Sequence, residues 1–291
     1  MQLIFRYGFL KLQNVSLALN DLQYVLLILA TVAIAAGGYI INNICDVDSD
    51  TLNRPEKVII GKTISETKGY NLYVGFTIIG VATGFYLSNV INKPSFASVF
   101  IIIAITLYFY ATSLKQSLLI GNIIVAFLLA LSIIIIGLFD LYPVTLEENR
   151  PIMGLLFKIL LDYAIFAFII NFIREIVKDL EDIEGDSKQE MNTLPIAFGL
   201  KRTTKLVFGL SFIPLIFIIY YIKQYLFAND LYFSTIYGLV FIVDPLIYFT
   251  IKIWSAKNKK DFYHLSNLLK WILFFGIISV AVISLNLKLN A

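Results

Sequence analysis

Eight long apolar stretches divide this chain and leave little room for any fold other than a membrane bundle. A helix crosses a bilayer in about 20 mostly apolar residues. The composition agrees, because 59% of the residues are hydrophobic and only 15% are charged, against about 45–50% and about 25% in soluble domains. The sequence therefore predicts an all-α, polytopic membrane helix bundle formed by one domain, residues 1–291. The predicted spans are roughly 22–44, 70–91, 96–113, 117–139, 152–173, 203–225, 232–253 and 265–285.

The first residues have the composition of a span but not its length. Residues 1–10 are apolar, yet a helix of eight residues covers only about 12 Å of a hydrocarbon core about 30 Å thick. We expect them to be the end of a truncated transmembrane helix, with an apolar segment continuing upstream of Met1.

Basic residues are distributed unevenly between the connections. The connections on one side of the predicted bundle carry fifteen Lys or Arg residues, and those on the other side carry six. Cytoplasmic loops hold the excess of Lys and Arg. We therefore expect an integral protein of a prokaryotic cell membrane, with the basic side in the cytoplasm.

Two acid-rich segments lie on that basic side, each at the end of an apolar stretch. In the first segment, three side chains with oxygen ligands follow one another at intervals of four and four residues. In the second segment, the intervals are three and four residues. On a helix, both spacings place the side chains on one face, with neighbours about 5–6 Å apart. The first set is Asn42, Asp46 and Asp50, and the second set is Asp179, Asp182 and Asp186.

Carboxylates held this close repel one another unless a cation lies between them, and hard oxygen ligands suit Mg²⁺. Two such sets facing each other at a membrane surface would clamp a diphosphate. We expect all six residues to bind metal, and Asp46, Asp50, Asp182 and Asp186 to be catalytic. Basic residues near both sets could neutralise phosphate oxygens; they are Arg54, Lys57, Arg174, Lys178 and Lys188.

The scarcity of certain residues excludes other kinds of site. The only cysteine is Cys45 and the only histidine is His264, so an internal disulfide, a cysteine cluster and a histidine-rich metal site are excluded. The net charge is +3, without a dense basic run. We therefore expect no nucleic-acid partner.

The two segments resemble the motifs of a known family. NNICDVDSDTLNRPEKVIIGK, residues 42–62, resembles the NDxxDxxxD and NRP signature of the UbiA family of intramembrane prenyltransferases. REIVKDLEDIEGDSKQEMNTLPIAFG, residues 174–199, resembles the second aspartate-rich motif of that family. The chain departs from the pattern at Asn43, where the family usually has Asp.

The resemblance implies nine transmembrane helices around a lipid-open central cavity, under a cytosolic cap. It also implies Mg²⁺-dependent cleavage of an allylic prenyl diphosphate and capture of the resulting carbocation by an acceptor. Tyr110 and Lys115 resemble the Tyr/Lys pair that the family places near the diphosphate, although an interfacial tyrosine and a loop lysine have equal weight.

The acceptor is less constrained by the sequence. KDLEDIEGD followed by TLP resembles the branch of the family that transfers a geranylgeranyl group to geranylgeranylglyceryl phosphate, a step of phospholipid biosynthesis. An aromatic quinone precursor, of the 4-hydroxybenzoate or menaquinone type, is the alternative acceptor. A cation-coupled transporter is the alternative of a different class, but it would place its carboxylates near the middle of the bilayer.

Overall fold

In the part of the chain that the structure describes, eight helical segments are long and apolar enough to cross a membrane, as the apolar stretches predict. The structure is a computed structural model. It describes residues 1–53, 55–188 and 190–290, without the side chains of residues 49, 52, 53 and 57. Within these ranges the chain is helical apart from loops and one isolated bridge between Ile60 and Ile64.

The helices follow one another with short connections. In chain order they are α1 (Gln2–Gly8), α2 (Asp21–Cys45), α3 (Val47–Asn53), α4 (Glu66–Val90), α5 (Ala97–Thr112), α6 (Ile120–Ile136), α7 (Arg150–Lys188), α8 (Leu194–Phe198), α9 (Leu200–Tyr221), α10 (Tyr232–Gly238), α11 (Asp244–Ser255) and α12 (Lys259–Asn290). A π-helical segment, Gly137–Leu141, extends α6, and another, Leu239–Val243, joins α10 to α11 into one span.

The spans alternate in direction, so one end of the bundle collects the ends of α2, α5, α7 and α11 and the beginnings of α4, α6, α9 and α12. We call this end, which carries both acidic segments, the motif end, and the other the far end. The longest helix, α7, continues fifteen residues beyond the predicted span, from residue 173 to Lys188. Hydropathy identifies only the part of a helix inside the membrane, whereas this extension is polar.

Two apolar cores share α7. One core joins α1, α2, α4, α5 and α6 to the first half of α7, and the other joins α9, α11 and α12 to its second half. α2 and α4 approach closely: a Cβ at Gly80 would lie 2.5 Å from Ile34 Cγ1 and 3.0 Å from the Ala30 carbonyl oxygen. Small residues permit this backbone approach, which stabilises helix pairs in a membrane by close packing.

The N-terminal segment forms a short helix, α1, that packs against α6 and α12. It carries a buried charge, Arg6, which forms a close ion pair with Asp140 at the far end. The Asp140 carboxylate also accepts a hydrogen bond from the Leu19 amide at 3.1 Å, and Arg6 Nη2 donates to the Leu19 carbonyl at 2.5 Å. The guanidinium lies 4.3 Å from the centre of the Tyr24 ring. These contacts attach the first twenty residues firmly to the bundle.

Candidate active site

The first acidic motif forms where α2 passes into α3. Asp46 is the residue between the two helices. The amides of Asp46 and Asp50 donate to the carbonyls of Asn42 and Asp46, at 2.9 and 2.7 Å. The helical register therefore continues through the junction, and these three residues share one face, as their spacing predicts.

The carboxylate of Asp46 has a partner at each oxygen. Asn42 Nδ2 donates to Oδ2 at 2.6 Å, and Lys115 Nζ forms a close ion pair with Oδ1. Lys115 is 11% exposed and Asp46 is 18% exposed. The structure thus brings Lys115, which follows α5, to the first motif.

The second motif occupies the last turns of α7, beyond the apolar part of that helix. Asp179 Oδ2 accepts a hydrogen bond of 2.8 Å from Nδ2 of Asn122, near the beginning of α6. Asp186 Oδ2 accepts a hydrogen bond of 3.4 Å from Thr193 Oγ1, in the loop after α7. Asp182 lies between these two and is half-buried.

The two motifs face each other across the motif end. α3 packs against α7, and the carboxylate of Asp186 interacts electrostatically with those of Asp182 and Asp46. The hydroxyl of Tyr110 lies within electrostatic range of Asp46 and Asp179. Tyr110, Lys115 and both acidic motifs therefore meet in one region.

The loops above this region are tied to each other. The amide of Asn192 donates to the carbonyl of Gln116 at 3.1 Å, which joins the loop after α7 to the loop after α5. A small apolar cluster of Ile41, Ile44, Ile60 and Ala111 lies beneath the loop that follows α3. These contacts join the loops at the motif end to one another and to α2 and α5.

The predicted phosphate-binding residues differ in their contacts and in their exposure. Arg174 Nη1 and Lys178 Nζ contact the two carboxylate oxygens of Glu175, at 3.0 and 2.9 Å. Lys188 is exposed at the end of α7. Arg54 lies outside the described residues, as does the side chain of Lys57, so their predicted roles stay predictions.

Three residues near the motifs were missing from the sequence interpretation: Asn122, Glu175 and Thr193. Asn122 is a buried polar residue at the start of an apolar span. A polar residue in such a span is a sequence signal of a functional position. Glu175 is a buried acid one turn before Asp179, and its charge also reaches Tyr110. No sequence pattern pairs Asn122 with Asp179, since 57 residues separate them.

The donor set suits Mg²⁺. Asn42 Oδ1 is buried beside Asp46 and has no hydrogen-bond partner among the described residues. A buried carbonyl oxygen without a donor is a ligand that a hard cation would satisfy. Among the described residues, no three His, Cys, Asp or Glu side chains are already gathered around one point. Mg²⁺ commonly uses one or two carboxylates together with substrate phosphates rather than a complete protein cage, so this open arrangement fits a metal shared with a diphosphate.

Comparison with known proteins assigns the family. The family model described as the UbiA prenyltransferase family matches residues 13–282. The chain belongs to this family. The motifs that carried the resemblance, residues 42–62 and 174–199, both lie within the matched range.

Two curated relatives carry the same name. The chain is 35% identical over 173 residues to a digeranylgeranylglyceryl phosphate synthase of Saccharolobus solfataricus, a match that covers 60% of this chain but only 56% of the relative. It is 29% identical over 258 residues to a digeranylgeranylglyceryl phosphate synthase of Methanosphaera stadtmanae, which covers 86% of this chain and 84% of the relative.

Solved structures share the fold. A UbiA homolog from Aeropyrum pernix superposes with a TM-score of 0.70 at 14% identity, over 99% of this chain and 96% of the other. A UbiA homolog from Archaeoglobus fulgidus, solved with DMAPP and Mg²⁺ bound, gives a TM-score of 0.57 at 17% identity, over 96% of this chain and 92% of the other. The predicted bundle class is confirmed.

Proposed function

We propose that this protein transfers a geranylgeranyl group from geranylgeranyl diphosphate to geranylgeranylglyceryl phosphate, with Mg²⁺ as its metal. Two relatives named for this product support the acceptor, and the homolog solved with DMAPP and Mg²⁺ supports the donor class and the metal. The observation that carries the proposal is that Asp46 lies within electrostatic range of Asp186, and that Asp46 and Asp179 both lie within electrostatic range of Tyr110.

The donor would bind with its diphosphate at the motif end and its apolar chain among the spans. Asn42, Asp46 and Asp50 would hold metal on one side of the diphosphate, and Asp179, Asp182 and Asp186 on the other. Mg²⁺ bound there would offset the negative charge that develops on the leaving diphosphate.

The basic and phenolic side chains have separate tasks in this proposal. Lys115, which is paired with Asp46, would donate to a phosphate oxygen while it holds that carboxylate in orientation. Tyr110, close to both motifs, would donate from its hydroxyl to an oxygen of the leaving group. Arg174, Lys178 and Lys188, together with Arg54 and Lys57, would supply further positive charge.

The hydroxyl oxygen of the acceptor would attack the allylic carbocation after the bond between the allylic carbon and the diphosphate oxygen has broken. The bond that forms is an ether, and the proton of the hydroxyl leaves with the released diphosphate. An alcohol needs little help from a base when the electrophile is already a carbocation. The surrounding apolar side chains must keep water away, since water would convert the cation to the free alcohol.

A panel of acceptors tests the proposed substrate. Purified protein would be incubated with geranylgeranyl diphosphate, Mg²⁺ and either geranylgeranylglyceryl phosphate, 4-hydroxybenzoate or a menaquinone precursor, and the products identified by mass. We expect the digeranylgeranyl ether only from the first acceptor. A prenylated aromatic product in its place would establish the quinone-precursor alternative.

The same panel separates the enzyme from the transporter alternative. A transporter would give no product with any acceptor and would need carboxylates near the middle of the bilayer. The acidic motifs instead lie at one end of the bundle, beyond the apolar part of α7.

We infer that the motif end faces the cytoplasm of a prokaryotic cell, because it carries the larger share of Lys and Arg. Single cysteines introduced into a Cys45→Ser background would test this. A membrane-impermeant thiol reagent added to intact cells should label positions 92 and 147, at the far end, and leave position 62 unlabelled. External labelling at position 62 would reverse the orientation.

A further inference from the structure

One surface at the motif end carries a concentration of exposed basic side chains together with an exposed tryptophan. It forms where the beginning of α9, the end of α11 and the beginning of α12 come together, since α11 packs against both other helices. We call it the basic face. It consists of seven exposed residues: Lys201, Arg202, Lys205, Lys252, Lys257, Lys259 and Lys260.

The charges of the basic face are not held in salt bridges, since none of the seven residues forms one with another described residue. Asp261, in the first turn of α12, accepts hydrogen bonds from the amides of Lys257 and Asn258 at 3.0 and 3.3 Å, and its carboxylate also interacts electrostatically with Lys252. In contrast, Lys115, Arg174 and Lys178 near the acidic motifs are all paired with carboxylates.

An exposed tryptophan lies in the middle of the basic face. Trp254, near the end of α11, is 58% exposed. Its ring packs edge to face on Phe208 of α9, with 4.7 Å between the ring centroids, and the ammonium group of Lys205 lies 5.9 Å from its centre. Tryptophan of this kind is enriched at the level of lipid headgroups, so the surrounding ammonium groups lie at the depth of lipid phosphates.

We propose that the basic face binds the phosphate headgroups of anionic membrane lipids. Clusters of four to eight basic residues next to a transmembrane helix attract anionic lipids, and seven exposed basic residues on three adjoining helix ends meet that description. The positive charge of the basic face complements the negative charge of the lipid phosphates. Trp254 provides the interfacial anchor. This interaction is separate from prenyl transfer and does not depend on the identity of the acceptor.

The quenching of Trp254 by brominated lipid tests the proposal. The chain has two tryptophans, so a Trp271→Phe variant reports from Trp254 alone. This variant would be reconstituted into phosphatidylcholine vesicles in which increasing fractions are replaced by brominated phosphatidylglycerol or by brominated phosphatidylcholine. We expect the anionic lipid to quench Trp254 at a mole fraction at least about fivefold lower, the factor that corresponds to a single basic contact.

Two charge-reversal variants locate the interaction. In the Trp271→Phe background, one carries Lys201→Glu, Arg202→Glu and Lys205→Glu, and the other carries Lys257→Glu, Lys259→Glu and Lys260→Glu. We expect the preference for the anionic lipid to weaken in each variant that remains monodisperse. The matched control, with Lys93→Glu, Lys223→Glu and Lys288→Glu at the far end, should keep it.

Three results would overturn the proposal. Equal quenching by the two brominated lipids in the Trp271→Phe protein would show that the basic face does not select anionic headgroups. A preference that survives in a monodisperse charge-reversal variant would place it elsewhere. Loss of the preference in the far-end control would show that net charge alone is responsible. None of these measurements requires enzymatic activity, so they are independent of the acceptor panel.

Discussion

Two carboxylate–cation pairs mark opposite ends of this bundle and differ in how completely they are enclosed. Asp140 and Arg6 at the far end are 0% and 2% exposed, and backbone groups of Leu19 contact both members. Asp46 and Lys115 at the motif end are 18% and 11% exposed. Beside them lie the carboxylate of Asp186 and Asn42 Oδ1, which has no hydrogen-bond partner among the described residues.

The difference separates a structural pair from a functional one. At the far end, the hydrogen-bonding capacity of both charges is used within the protein, with only Arg6 Nε lacking a partner among the described residues. At the motif end, oxygen acceptors remain and further negative charge is close by. The first pair fastens the N-terminal segment to α6, whereas we propose that the second binds a cation and a phosphate.

The largest expected effect is on stability, at the far end. Asp140→Leu would leave Arg6 charged and buried without its carboxylate, and we expect the free energy of unfolding to fall by about 3–5 kcal/mol. Denaturation in detergent, followed by circular dichroism, measures this. Asp21→Asn is the control, because Asp21 is exposed and only 3.5 Å from the same guanidinium; its loss should cost about 0–1 kcal/mol. Equal effects of the two substitutions would remove the distinction between the enclosed and exposed partners.

The next effect is on catalysis, at the motif end. Asp46→Ala and Asp182→Ala should each lower kcat by about 10²–10³-fold, the loss expected when a group that stabilises transition-state charge is removed. The proteins should keep their thermal stability. Asp48→Ala is the matched control, since Asp48 belongs to the same segment but is exposed and does not share the spacing of the motif. Full prenyl transfer by either of the first two variants would remove the paired motifs from the mechanism.

A smaller effect is expected at Asn122. Asn122→Leu removes the hydrogen-bond donor to Asp179 Oδ2. A buried carboxylate that loses its donor lowers the stability of the protein by about 1–3 kcal/mol. We expect a higher concentration of Mg²⁺ for half-maximal activity, because the carboxylate loses its fixed orientation. The control is Asn89→Leu, because Asn89 is exposed and bonds only to its own helix. An unchanged Mg²⁺ requirement in Asn122→Leu would show that this hydrogen bond does not orient the metal ligand.

The smallest effect should follow from replacing both members of the enclosed pair. Arg6→Met combined with Asp140→Leu removes both charges, so the free energy of unfolding should return to within about 1 kcal/mol of the original value. The equivalent pair at the motif end, Asp46→Leu with Lys115→Met, should stay inactive, since a metal ligand is lost. Recovery of activity in that second pair would show that Asp46 serves only to neutralise Lys115.

The sequence predicted the parts of the molecule that depend on local pattern. The eight spans follow from apolar length, and the stacking of Asn42, Asp46 and Asp50 follows from helical spacing, which the backbone preserves across the α2–α3 junction. The sequence left open whether Lys115 lies near the predicted diphosphate site, because an interfacial lysine has the same local sequence. The family motif, rather than periodicity, indicated its position.

Contacts between distant residues could not be predicted in this way. Arg6 and Asp140 are 134 residues apart. In its local sequence, each is an ordinary charged residue at the end of an apolar stretch. The same holds for Asn122 and Asp179, whose contact depends on how α6 packs against α7. A single sequence gives the faces of helices, but not which faces meet.

The most direct test of the central claim is the binding of inorganic diphosphate, measured by calorimetry on the purified protein with and without Mg²⁺. If the two acidic motifs form one metal-dependent diphosphate site, binding should require Mg²⁺, disappear in both Asp46→Ala and Asp182→Ala, and persist in Asp48→Ala and Asp21→Asn. Binding that is unchanged in the presence of EDTA, or that survives in both motif variants, would contradict the account.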